Sequence, residues 1–161
     1  MNEPIVADTG PLIGLARSSD LDILPQLYQT VLIPKAVHDE LQIGSSRPGA
    51  MVLARALKTG WLRPSPLKSK YLRTRDDLCI GLGLGESEAI CLAEQDKSRF
   101  LHMDDRGGRA MAKRRGIKVV GTGAILLAAK REGLIPSILT ALKGLSDVGY
   151  ASRIYANPVF L

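Results

Sequence analysis

Two kinds of hydrophobic pattern alternate along this chain. Short unbroken apolar runs, which read as buried strands, are separated by longer stretches with apolar residues at helical spacing. Ile5-Val6-Ala7, bounded by Pro4 and Asp8, is the first such run. Gly10-Pro11 then opens a helical stretch with Leu12, Leu15 and Ala16 on one face, and Leu21, Leu24, Leu27 and Tyr28 continue at the same spacing. Val31-Leu32-Ile33 is a second strand, followed by Pro34, a residue favoured in the first turn of a helix. That helix carries Ala36, Val37, Glu40 and Leu41. A Gly/Ser/Pro loop spans 43–49, a helix spans 50–57, and Trp61-Leu62 forms a short strand. The segment from Pro64 to Arg75, with four basic residues and two prolines, reads as an exposed connection. The pattern then predicts a helix over 86–94, a strand over 100–103, a helix over 106–115 ended by Gly116, and a strand over 117–120. Gly121-Thr122-Gly123 leads into a helix over 124–132, Pro136 opens another through Leu145, and the tail to Leu161 is a short helix or turn.

Strands that alternate with helices predict a parallel sheet covered on both faces. The expected fold is a three-layer α/β/α sandwich around a short, mainly parallel sheet of roughly three to five strands. At 161 residues the chain suits a single domain over 1–161. Aromatic residues make up only 4% of it, so Leu, Ile, Val and Ala must fill the core. Its two cysteines, Cys79 and Cys91, stand apart in apolar surroundings, which argues against a disulfide scaffold or a structural zinc site. No basic leader opens the chain, and no stretch approaches the ~18 apolar residues of a membrane span. The expected compartment is therefore the cytoplasm, with no membrane partner. The net charge of +6 suggests an anionic partner, of which nucleic acid is the commonest.

In parallel-sheet proteins, sites form outside the carboxyl ends of the strands. Asp8 directly follows the first strand, and Asp104 and Asp105 follow the strand over 100–103. Glu40 lies on the helix after the second strand, and Glu86 begins a helix after the loop Gly81-Leu82-Gly83-Leu84-Gly85. Clustered carboxylates repel one another unless a cation joins them. Mg²⁺ and Mn²⁺ take such hard oxygen ligands, often one or two carboxylates plus water and substrate phosphate. Each residue alone also has a structural role open to it: an Asp after a strand caps helices and forms turns, and Glu86 suits the positive end of a helix dipole. The two histidines, His38 and His102, form no zinc pattern.

The run Ile5-Val6-Ala7-Asp8-Thr9-Gly10-Pro11-Leu12-Ile13 resembles the opening motif of PIN domains. Val31-Leu32-Ile33-Pro34 with Val37-His38-Asp39-Glu40-Leu41, then Leu84-Gly85-Glu86-Ser87-Glu88-Ala89-Ile90, then Leu101-His102-Met103-Asp104-Asp105 continue the likeness in order along nearly the whole chain. It looks most like the VapC-like toxin ribonucleases of toxin–antitoxin pairs. The resemblance implies a PIN-like α/β/α fold, Mg²⁺- or Mn²⁺-dependent endoribonuclease activity, a homodimer and a cognate antitoxin protein. By motif, Asp8, Glu40 and Glu86 match the first three acidic positions, with Glu88 near the third, and Asp104 or Asp105 matches the fourth. The implied metal ligands are Asp8, Glu86, Asp104 and Asp105, and Thr9 matches the hydroxyl residue that supports the first Asp.

Arg106, Arg109 and Lys113 share one helix face by spacing and start beside the acidic doublet, so they are candidate contacts to RNA phosphates. A solvated basic face is the plainer alternative. Three other functions compete. A dinucleotide binder is disfavoured because Gly81, Gly83 and Gly85 lack GxGxxG spacing. An aspartyl-phosphate mechanism at Asp8 is disfavoured because Gly10 stands where haloacid-dehalogenase-like phosphatases carry a second Asp. A non-catalytic RNA- or protein-binding PIN-fold module is the third.

Overall fold

The computed structural model of the protein describes residues 3–150. Five strands, β1 (Ile5–Ala7), β2 (Val31–Ile33), β3 (Leu62–Pro64), β4 (Leu101–His102) and β5 (Val119–Val120), form one sheet in the order β3-β2-β1-β4-β5. Every pairing is parallel. Side chains alternate across a strand, so a strand with both faces covered must be apolar throughout. Ile5, Val6 and Ala7 are all fully buried, which places helices on both faces of β1 and makes the sheet the middle layer of three.

The helices are α1 (Thr9–Arg17), α2 (Ile23–Tyr28), α3 (Lys35–Leu41), α4 (Ala50–Thr59), α5 (Leu72–Leu78), α6 (Leu84–Gln95), α7 (Arg106–Arg114), α8 (Thr122–Arg131) and α9 (Ile138–Asp147). The predicted strands all occur, at lengths of two or three residues. The connection expected over Pro64–Arg75 is instead a 3-10 turn at Ser69–Tyr71 running into α5. Leu78 is the sole buried residue of α5, so its sequence shows charge rather than a helical apolar stripe. Helix α6 begins at Leu84, two residues before the predicted start, because Gly83 is extended and serves as its N-cap. The short helix or turn expected in the tail lies outside the described residues.

The strand order reverses at β1, where the chain moves to β2 on one side and β4 on the other. In open parallel sheets such a reversal leaves a crevice outside the strand ends. The β1–β4 ladder runs on past β1, since the Asp8 N–H donates to the His102 carbonyl at 3.0 Å. Asp8 and the Asp104-Asp105 pair thereby leave adjacent strands at the same edge.

Candidate active site

Asp8 is extended, caps the N-terminus of α1, and is only 6% exposed. Burial pushes its carboxyl up to about 7, the Thr9 backbone N–H pulls the other way, and the charges of Glu86, Glu40 and Asp105 push it up further. Four carboxylates from four segments of chain thus feel one another at the crevice, an arrangement that costs free energy until positive charge joins it.

Each of the other three is held by a hydrogen bond. Thr9 Oγ1 donates to Glu40 Oε2 at 2.5 Å, tying α1 to α3. The Gly83 N–H donates to Glu86 Oε2 at 3.1 Å, so Glu86 closes the first turn of α6. Asp105 caps α7, its Oδ2 accepting from the Gly108 N–H at 2.8 Å. Gly85, buried in the first turn of α6, makes the approach of α3 possible. A Cβ there would lie 2.6 Å from Glu40 Oε2 and 2.7 Å from Oε1.

The acidic doublet divides. Asp104 turns into the protein, where Oδ1 accepts from the Thr122 N–H at 2.7 Å. Its Oδ2 accepts from Thr122 Oγ1 and from the Tyr150 hydroxyl, each at 2.5 Å. His102 joins this network at Thr122 Oγ1, 3.0 Å away, and burial pushes its imidazole down to about 4. Because Thr122 Oγ1 gives its proton to Asp104, it can only accept from His102. That fixes the Nε2–H tautomer and leaves the buried Nδ1 without a hydrogen-bond partner among the described residues. Asp105, not Asp104, is the doublet member whose charge reaches Asp8.

Glu86 and Glu88 separate in the same way. Glu88 is buried, its Oε1 accepts from the Ala36 N–H at 2.9 Å, and its Oε2 lies 3.7 Å from Arg75 Nη1. It therefore caps α3, the helix that carries Glu40, while Glu86 remains at the crevice.

A cleft of about 420 Å³ opens here, lined by Asp8, Thr9, Glu40 and Glu86. Its lining also includes Val148, Gly149 and Tyr150, whose ring comes within 2.8 Å of where a Cβ on Gly14 would sit. Arg17, which sequence patterning did not single out, also lines the cleft. The expected basic face on α7 is corrected at one position. Arg106 and Lys113 are exposed, but Arg109 lies on the inward side with Gly108 and Ala112. Those small neighbours leave room for its guanidinium to donate from Nη1 to the Met103 carbonyl at 2.9 Å. Burial lowers the pKa of Arg109 from its ordinary value.

A family model described as a PIN domain (DUF3368) matches residues 4–157. The chain is a PIN domain. PIN domains are for the most part nucleases, so the family gives this one a nuclease-type function at the coarse level. No curated protein matches it. Of the acidic motif residues, Asp8, Glu40, Glu86 and Asp105 meet at the crevice of this PIN domain, whereas Glu88 and Asp104 turn to other partners.

The side chains themselves answer whether a metal suits this place. Among the described residues, no three His, Cys, Asp or Glu groups stand close enough to enclose an ion. Mg²⁺ does not need such a cage, since it keeps several waters and takes only one or two carboxylates. The donors are hard oxygens, and Asp8, buried among three other carboxylates, is the group a cation would relieve. The site fits a hydrated divalent ion.

Proposed function

We propose that this PIN domain is a metal-dependent endoribonuclease, and the observation that carries the proposal is Asp8. Burial at the switch point of the sheet, reinforced by the charges of Glu86, Glu40 and Asp105, pushes its carboxyl up to about 7. Asp8, with Glu86 or Asp105 as a second carboxylate, would hold a hydrated Mg²⁺ or Mn²⁺. When bound, such an ion lowers the pKa of water and neutralises charge developing at phosphorus. Glu40, anchored by Thr9 at Oε2, has Oε1 to orient the attacking water and take its proton. The water oxygen bonds to phosphorus, the bond to the leaving sugar oxygen breaks, and that oxygen takes up a proton. Arg106 and Lys113, exposed on α7 next to Asp105, would meet phosphates of the RNA, as the net charge of +6 favours. Arg109 supports the end of β4 instead.

The resemblance to VapC-like toxins supports a finer proposal: a toxin that acts in the cytoplasm as a homodimer and is restrained by a cognate antitoxin. No described helix is long and apolar enough to cross a membrane. Ile80, 88% exposed, and Leu84, 50% exposed at the start of α6, are apolar side chains that a second protein would cover.

The test is cleavage of labelled RNA in Mg²⁺, Mn²⁺ or EDTA by the wild type, Asp8→Asn and Glu40→Gln. Cleavage that requires metal and vanishes in both variants is expected. Binding without cleavage by any folded form would replace the proposal with a non-catalytic RNA-binding module. Cleavage that survives EDTA and both substitutions would refute the site.

A further inference from the structure

Helix α1 presents Gly10, Ile13, Gly14 and Arg17 to the cleft, spaced i, i+3, i+4 and i+7. Residues at that spacing form one stripe along a helix. The cleft is therefore a groove that runs the length of α1, from Asp8 and Thr9 at one end to Arg17 at the other. Thr9 and Arg17 are separated by roughly 12 Å along the axis, at about 1.5 Å per residue. Side chains on a helix lean toward its N-terminus, so the Arg17 side chain leans back toward the carboxylates. Its stem is seated at the N-terminus of α4, where Cγ comes within 3.3 Å of the position a Cβ on Gly49 would take. Arg17 is exposed, and among the described residues no carboxylate lies within ion-pair distance of it. A cation that lines an acidic cleft without pairing to its carboxylates is set to meet an anion from outside.

We propose that Arg17 anchors a backbone phosphate of single-stranded RNA lying along the α1 groove, one removed from the phosphate at Asp8. The proposal rests on the nuclease reading above and deepens it. Among the described residues, the groove's one aromatic, Tyr150, is buried, with its ring on Gly14 and its hydroxyl on Asp104, and offers no exposed stacking platform. Recognition along this groove is thus of the charged backbone rather than the bases. A guanidinium suits that role because its planar fork reaches two phosphate oxygens at once.

The experiment uses a short, unstructured, fluorescently labelled oligouridylate. Its binding to the wild type, Arg17→Gln, Arg17→Lys and the distant surface variant Lys58→Ala is measured in EDTA across a salt series, and its cleavage is measured in Mg²⁺. Arg17→Gln keeps the stem beside Gly49, and thermal melting checks each fold. The expected result for Arg17→Gln is a rise of about tenfold in Kd and KM with kcat within about twofold. Its salt slope falls by about 0.7, the single-strand value for one phosphate contact. Arg17→Lys should retain the slope with intermediate affinity, and Lys58→Ala should match the wild type. If the wild type cleaves and Arg17→Gln behaves like Lys58→Ala, the anchor is refuted and the nuclease stands. If the wild type binds without cleaving and Arg17→Gln still loses affinity and slope, the nuclease falls and the anchor stands. If the wild type neither cleaves nor binds, both fall.

Discussion

A methyl group added at Gly85 would land in the Glu40 carboxylate. The Cβ of Gly85→Ala would sit 2.6 Å from Oε2, 2.7 Å from Oε1 and 2.9 Å from Cδ. Non-bonded carbons settle at about 3.5–4.0 Å, so the carboxylate must retreat by roughly 0.5–1 Å. Because the obstructing atoms are the end of a flexible, exposed side chain, α6 need not move. The retreat breaks the 2.5 Å bond from Thr9, worth about 0.5–1.5 kcal/mol. Ala at a helical position returns about 0.5–1 kcal/mol relative to Gly. The two nearly cancel, so stability should change by less than about 1 kcal/mol, or about 2–4 °C in Tm for a domain of this size. Activity has no such compensation, since a misplacement of about 1 Å at a reacting group can cost around 100-fold. Gly83→Ala is the matched control, because its Cβ would meet Glu86 Oε2 at an ordinary 3.6 Å. The assay is kcat/KM for labelled RNA in Mg²⁺, alongside thermal melting. An active, stable Gly85→Ala would show that Glu40 need not stand where it does. A Tm lowered by ten degrees or more would show that the contact holds the fold rather than the chemistry.

Three further outcomes follow from the same geometry. The Asp8 carboxyl is raised above its unfolded value, so the stability it favours is fully present below about pH 4 and is lost as pH rises through about 7. In EDTA the wild type should therefore lose stability over that window relative to Asp8→Asn, and Mg²⁺ at pH 7.5 should restore part of it; equal pH profiles would contradict this. Glu88→Ala should destabilise by about 1–3 kcal/mol in denaturant unfolding, because the buried Ala36 N–H loses its acceptor, whereas Glu86→Gln should lose cleavage with stability nearly unchanged. Arg109→Ala should likewise lower Tm, since the Met103 carbonyl loses its donor, whereas Arg106→Ala should weaken RNA binding and reduce its salt dependence without moving Tm.

The strand-end carboxylates were legible in the sequence because a parallel sheet puts its chemistry at that edge whatever its loops do. Asp8, directly after β1, was legible for that reason, whereas Glu40, on α3, stood out only through the resemblance to PIN-domain motifs. The doublet was different: Asp104 and Asp105 are adjacent, and which one turns inward depends on Thr122 and Tyr150, far along the chain. Glu86 and Glu88 posed the same problem, decided by the Ala36 N–H of another helix. Arg109 misled because helical spacing fixes which residues share a face but not which face meets the sheet, and its charge suggested solvent. Helix α5 stayed hidden because it buries a single residue. Gly85 and Arg17 gave no sign, since their roles exist only once α1, α3 and α6 are packed together.

The order of strands also sets when the site can come into being. β1 is the first strand made, yet one of its two neighbours in the sheet is β4, the fourth. Asp8 leaves the ribosome 97 residues ahead of Asp105. Until β4 docks beside β1, the carboxylates belong to separate, unjoined pieces. For the nuclease proposed above, this imposes a built-in delay: a nascent chain that has not yet made β4 lacks the joined site, and the cutting edge assembles only once β4 has docked beside β1.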